Sequence, residues 1–203
     1  MLGLPGTTEI NKPLPKKALF DKFKPNAADR KLFDEQISRL SIVAEISPQT
    51  VSLAPSAEVS AIYVIDVTLK TPDCDKKNIA LLSKLIDQRM LFVLEYGDNA
   101  RLAVYRAEKV LVSEEKPTDE WQLDLSGLDL EAVWENIVAQ IGSIDLAGGK
   151  GLDATIAKND HREKLAKQIV VLEKKAMSER QPRRKWELAE EIKRLKAELE
   201  GMR

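Results

Sequence analysis

The 203-residue chain contains a single cysteine, Cys74, and a single histidine, His161. One thiol excludes an internal disulfide framework, and the two side chains together cannot supply the four ligands of a Cys/His zinc site. Long apolar runs are absent too. No stretch of eighteen apolar residues occurs, and Met1 to Asn11 lacks a cationic start followed by an apolar segment, so neither a membrane-spanning helix nor a secretory signal is predicted. A reducing, cytoplasmic setting is the expectation. Charge of one sign is also missing: 32 Lys/Arg stand against 33 Asp/Glu. That balance excludes the overall bias of a nucleic-acid-coating protein or an acidic tail.

The balance hides an asymmetry. From Lys158 to Arg203 there are fourteen Lys/Arg against nine Asp/Glu, net +5, and the first 157 residues carry eighteen against twenty-four, net −6. A hydrophobic content of 43% is enough for one cored domain with an appendage. The pattern along the chain divides it accordingly, into an α+β domain over residues 1–141, a glycine-rich linker over 142–153 and a basic arm over 154–203.

Pro5, Pro13 and Pro15 with Gly3 and Gly6 predict an extended lead-in from Leu2 to Lys16 without a regular element. Leu19, Phe20 and Phe23 form a short apolar stripe. After Pro25-Asn26, the spacing Leu32, Phe33, Ile37, Leu40 is that of an amphipathic helix capped near Asn26. The period then changes. Ile42-Val43-Ala44, Val51-Ser52-Leu53 and Ala61 to Leu69 read as strands. Asp75 to Gln88 reads as a crossover helix leading into Met90 to Leu94, a continuous apolar run of central-strand type. Gly97-Asp98-Asn99 predicts a tight turn into Arg101 to Arg106, an antiparallel hairpin, with Val110-Leu111-Val112 following. Leu130, Val133, Trp134, Ile137, Val138 and Ile141 recur at helical spacing, so a helix is expected to pack on this mixed sheet.

Gly148-Gly149-Lys150-Gly151 opposes regular structure and predicts a flexible connector. Beyond it Leu165, Ile169, Leu172 and Ala176 are spaced four, three, four, and Leu188, Ile192, Leu195 and Leu199 repeat that spacing. Pro182 is acceptable only in the first turn of a new helix. The prediction is therefore an antiparallel helical hairpin or coiled-coil arm that breaks near Met177 to Gln181. Leu188, Ile192, Leu195 and Leu199 are its candidate partner-binding residues, covered either by the first arm helix or by another protein.

Candidate chemistry is sparse. Lys150 after two glycines fails as a phosphate-binding loop, because Ile144 stands where the first glycine is needed and Gly151 where the magnesium-binding hydroxyl is needed. Asp66, Thr68 and Lys70 fall on one face of a strand. A metal-dependent nuclease wants an acid two residues before such a lysine and a second carboxylate from a neighbouring strand, so that metal and lysine activate water and stabilise the developing charge. Thr68 occupies the acid's place. Asp66, Lys70 and Glu95 form that site only if their strands are neighbours; a solvated sheet edge is the plainer reading. His161 lies on a charged helical surface with no nucleophile near it. Trp134 fits its helix's apolar stripe, which leaves Trp121 and Trp186 as candidates for exposed contact. Arg183-Arg184-Lys185 places three cations at the unfavourable end of a helix dipole, which marks them as candidate nucleic-acid contacts. No metal or cofactor is expected.

Leu4-Pro5, Thr8, Asn11-Lys12 and Pro15-Lys16, then Leu91 to Tyr96, Glu120-Trp121, Gln181, Arg184-Lys185 and Glu187-Leu188, resemble in this order the bacterial and archaeal family known as domain of unknown function 4391. Members of that family are typically encoded beside DNA helicases and methyltransferases of restriction-modification or phage-defence loci. The resemblance implies an accessory role there. Similar proteins often carry an acid where this chain has Thr68, which weakens the hydrolytic reading, and no catalytic residues carry over. The sequence therefore predicts a non-catalytic interaction protein that docks on a larger partner, a helicase or methyltransferase, or self-associates through its arm. A degenerate or active nuclease-like domain and a nucleic-acid-binding arm remain as alternatives.

Overall fold

In the computed structural model, residues 2–145 and 151–201 are described. The glycines at 148 and 149 and Lys150 of the expected connector lie outside them. The chain forms two compact units, Met1–Ala147 and Gly148–Arg203, of class α+β.

The first unit is a mixed sheet. Its strands are β1 (Glu9–Pro13), β2 (Ile37–Ile46), β3 (Ile62–Leu69), β4 (Arg89–Tyr96), β5 (Asn99–Arg106) and β6 (Lys109–Val112), hydrogen-bonded in that order, with a two-residue β7 (Lys116–Pro117) paired to β5. All neighbours are antiparallel except β3 and β4. Those two are joined by the expected crossover, and a parallel neighbour in turn requires one. Gly97, at φ +61°, and Asp98 close the β4–β5 hairpin.

Helices cover both faces. On one face α1 (Lys16–Phe23), α2 (Ala27–Gln36) and α3 (Lys76–Leu82) bury Leu19, Phe20, Phe33, Ile79 and Leu82 against Ile65, Val67, Phe92 and Leu94. Phe20 and Phe33 meet edge to face at 5.5 Å. The other face takes α4 (Leu130–Gly142), which packs on β5 and β6 and buries Val133, Trp134, Ile137, Val138 and Ile141. Helices α2, α3 and α4 have a sequence-encoded start. Asn26 Oδ1 accepts from Asp29 N at 2.8 Å, Asp75 Oδ1 from Lys77 N at 2.8 Å and Asp129 Oδ1 from Ala132 N at 2.9 Å.

Four expectations are corrected. The lead-in is not without regular structure: it contains a 3-10 turn, Gly6–Thr8, and the edge strand β1. α2 stops at Gln36, and Ile37 and Leu40 belong to β2. Their spacing of three imitates a helix because a bulge lies between them, where β2 advances from Ile37 to Arg39 while β3 moves only from Leu69 to Thr68. Val51-Ser52-Leu53 is not a strand but a bend that follows the turn at residues 48–50. Pro48 ends the strand, and Thr50 Oγ1 takes the ladder's place by donating to Glu45 O at 2.8 Å and accepting from Ser47 N at 2.9 Å. α3 ends at Leu82 and not at Gln88, because Lys84 N and Leu85 N bond three residues back and Ser83 Oγ donates to Ala80 O at 2.9 Å.

The second unit is a pair of helices, α5 (Leu152–Ser178) and α6 (Pro182–Gly201), with Pro182 as the first residue of the second. Leu165, Ile169, Leu172 and Leu195 are buried in their seam, flanked by Leu188, Ile192 and Leu199. Lys196 Nζ and Glu173 Oε1 bridge the two helices at 2.7 Å. No helix among the described residues is long and apolar enough to cross a membrane.

Candidate functional site

Asp66 sits in a strand rich in β-branched residues, so the sheet forms around it and buries it to 5% exposure. Register determines its company. Thr68 pairs with Glu95 across the parallel β3–β4 ladder, and Arg39 and Ser41 of β2 pair with Thr68 and Asp66. Residues two apart in a strand share a face, so Asp66, Thr68, Glu95, Arg39 and Ser41 form one polar group toward the carboxyl ends of β3 and β4. In open sheets this is the end at which ligands gather.

The carboxyls of Asp66 and Glu95 lie against each other. Two ionised carboxylates so placed repel, which favours retention of a proton by the pair. Burial is the main cause that lifts both groups above the ordinary carboxylate range; at Glu95 the charge of Asp66 adds to it, and Arg39 opposes the rise at both. Asp66 Oδ1 has no hydrogen-bond partner among the described residues, while Oδ2 accepts a long bond from Thr68 Oγ1 at 3.4 Å.

Lys70 does not join them. It lies past the end of β3, and its Nζ donates to Asp34 O at 2.6 Å at the end of α2. Among the described residues, no group of three or more His, Cys, Asp or Glu is placed to hold a metal ion. The structure thus brings together two of the three residues of the hydrolytic reading and separates the third. Arg39 and Ser41 were not legible as members of the group, because the bulge between Ile37 and Arg39 decides which face they take. The one available signal was the polar Ser38-Arg39 interrupting an apolar strand.

The arm's candidates are differently placed. Leu188, Ile192, Leu195 and Leu199 face Leu165, Ile169 and Leu172 of the same chain. His161 is on the surface, its Nε2 3.2 Å from Glu198 Oε1 of the opposite arm helix. Arg183 Nε reaches Glu187 Oε1 at 3.3 Å, with 93% of its side chain exposed, and Arg184 and Lys185 are exposed beside it. Trp186 is 66% exposed, as expected. Trp121 is not an exposed contact residue. It is 4% exposed, its Nε1 donates to Ala100 O at 2.9 Å, and Lys116 Nζ stands 5.0 Å over its ring. A polar neighbourhood in sequence misleads here, because the indole N–H finds a strand carbonyl and the ring can then be buried.

Residues 2–199 match the family described as Domain of unknown function (DUF4391). No curated protein and no solved structure matches the chain.

Proposed function

The chain belongs to the DUF4391 family, and from that premise we propose that it is a non-catalytic accessory protein that acts by contact. The observation that carries this reading is the arm. Two helices of 27 and 20 residues join along one narrow seam and leave Val170, Val171, Met177 and Trp186 exposed on their outer faces. Such a unit has far more surface than it needs to fold, and its seam residues Leu188, Ile192, Leu195 and Leu199 act by holding that surface in shape. The partner proposed is a larger helicase or methyltransferase of a restriction-modification or phage-defence system in the cytoplasm, as the family resemblance implies. A second copy of the chain is the other partner proposed.

Co-purification from the native host tests this. Tagged wild-type chain should retain a stoichiometric partner, and the double variant Ile192→Asp/Leu195→Asp should lose it. Equal recovery with both chains overturns the reading.

A second reading, metal-dependent phosphodiester hydrolysis, is favoured by one observation, the meeting of the Asp66 and Glu95 carboxyls. It requires a divalent ion to displace the proton that the pair retains and Lys70 to leave Asp34. Magnesium-dependent cleavage lost in Asp66→Asn and Lys70→Ala supports it; no cleavage by the wild type removes it.

A further inference from the structure

We propose that the tip of the arm hairpin binds single-stranded nucleic acid, with Trp186 stacking on a base and Arg180, Arg183, Arg184 and Lys185 holding the phosphates. The inference stands apart from the contact reading above. It starts from two unfavourable features that coincide on a few residues.

The first is charge. Between Lys174 and Glu187 there are six Lys/Arg and two Asp/Glu, net +4. Three of the cations occupy the first turn of α6, where the helix dipole opposes them. Among the described residues, the side chains of Arg180, Arg184 and Lys185 make no hydrogen bond or ion pair, and Arg183 has only the exposed Glu187. Glu179, the other acid of this stretch, is turned onto the chain, where its Oε1 accepts from Gln181 N at 2.9 Å. Arg184 borders a cleft that it shares with Glu179, Glu187 and Glu191, while Arg180, Arg183 and Lys185 face outward with little internal compensation.

The second is the indole. Trp121 and Trp134 are buried, at 4% and 1% exposure, whereas Trp186 is at 66%. Helical spacing puts Trp186 two positions before Leu188, and so on the side of α6 turned away from the seam. Arg183, three residues earlier, shares that side. Met177, at the end of α5, is 82% exposed. Nothing in the arm's own packing explains a bare tryptophan beside cations.

A flat aromatic next to several cations matches a ligand that carries both anions and exposed aromatic planes. Single-stranded nucleic acid has this chemistry, since its phosphates follow the backbone and its unpaired bases offer their faces. A duplex offers the phosphates but keeps its bases stacked. A lipid surface wants a broad apolar face, and the helix side that holds Trp186 continues instead into Glu190 and Lys193.

The test uses the full chain. Because Trp186 is the one exposed tryptophan of three, its fluorescence reports on this site directly. Titration with a twenty-residue oligo(dT) should quench it. Anisotropy of labelled oligo(dT) should give an affinity that falls with salt at a log–log slope of about −2 to −3, as three or four phosphate contacts on a single strand require. Trp186→Ala should weaken binding by about 5- to 100-fold, the range of one base–aromatic stack, and Trp186→Phe should restore most of it. The triple variant Arg183→Ser/Arg184→Ser/Lys185→Ser should both weaken binding and flatten the salt slope. The proposal is overturned by absent quenching, by unchanged affinity in Trp186→Ala, or by equal binding to duplex, polyglutamate or phosphatidylserine vesicles.

Discussion

Glu95 and Asp66, on neighbouring parallel strands and two residues out of direct register, bring their carboxyl groups together. Both titrate above the ordinary carboxylate values of about 4, so the folded chain keeps a proton that the unfolded chain releases. By linkage, the stability this pair contributes is complete below the ordinary carboxylate range and is lost as pH rises through the raised values.

Asp66→Asn removes one of the two titrating carboxyls while leaving an amide that can donate to Glu95 and accept from Thr68. Its thermal midpoint, followed by circular dichroism, should fall less than that of the wild type between pH 4 and pH 8, and at pH 8 it should be the higher of the two. Parallel curves would show that the pair does not titrate above the ordinary carboxylate range.

A second prediction concerns the two-residue turn between β5 and β6. Ala107 and Glu108 both adopt left-handed backbone, at φ +49° and +58°, where a Cβ is unfavourable and Asn-Gly is the common choice. Glu108→Gly should stabilise the first unit by about 1 kcal/mol in chemical denaturation. Glu108→Val should destabilise it.

The arm should be the more fragile unit. Leu195 is the one residue of α6 among the described residues that is buried in the seam, at 5% exposure. Leu195→Ala should remove about 2–4 kcal/mol, more than a two-helix hairpin can spare. Far-ultraviolet dichroism should then lose helical signal, while near-ultraviolet dichroism from the buried Trp121 and Trp134 stays in place. A cooperative loss of both signals would mean that the two units fold as one.

Cys74 is half-buried, and burial pushes its thiol up to about 11. Because the thiolate is the nucleophile, alkylation by iodoacetamide at pH 7.5 should be at least about 100-fold slower than for an exposed thiol of ordinary pKa near 8.5. The rate should climb about tenfold per pH unit from there, and denaturant should abolish the difference.

Much of this molecule was legible in the sequence where pattern and local chemistry agree. The run from Met90 to Leu94, the Gly97-Asp98 turn and the capped stripe from Leu130 to Ile141 give the central strand, its hairpin and α4. Legibility failed where a tertiary feature changes the spacing. The bulge at Ser38 turned a strand's residues into a helix-like interval, and Thr50 folded a β-like tripeptide back on itself. The candidate site divides in the same way. That Asp66 and Glu95 would share a face followed from alternation only once β3 and β4 were known to be neighbours. That Lys70 would leave them depends on a carbonyl 36 residues away at the end of α2, which no local pattern reports.

The outermost strand β1 carries Glu9 and Lys12 and ends on Pro13, which has no N–H to offer a further strand. At the opposite border β6 is four residues long. Neither border gives a neighbouring molecule a continuous ladder to extend, so concentrated solutions of this chain are guarded against cross-β assembly by the construction of the sheet itself.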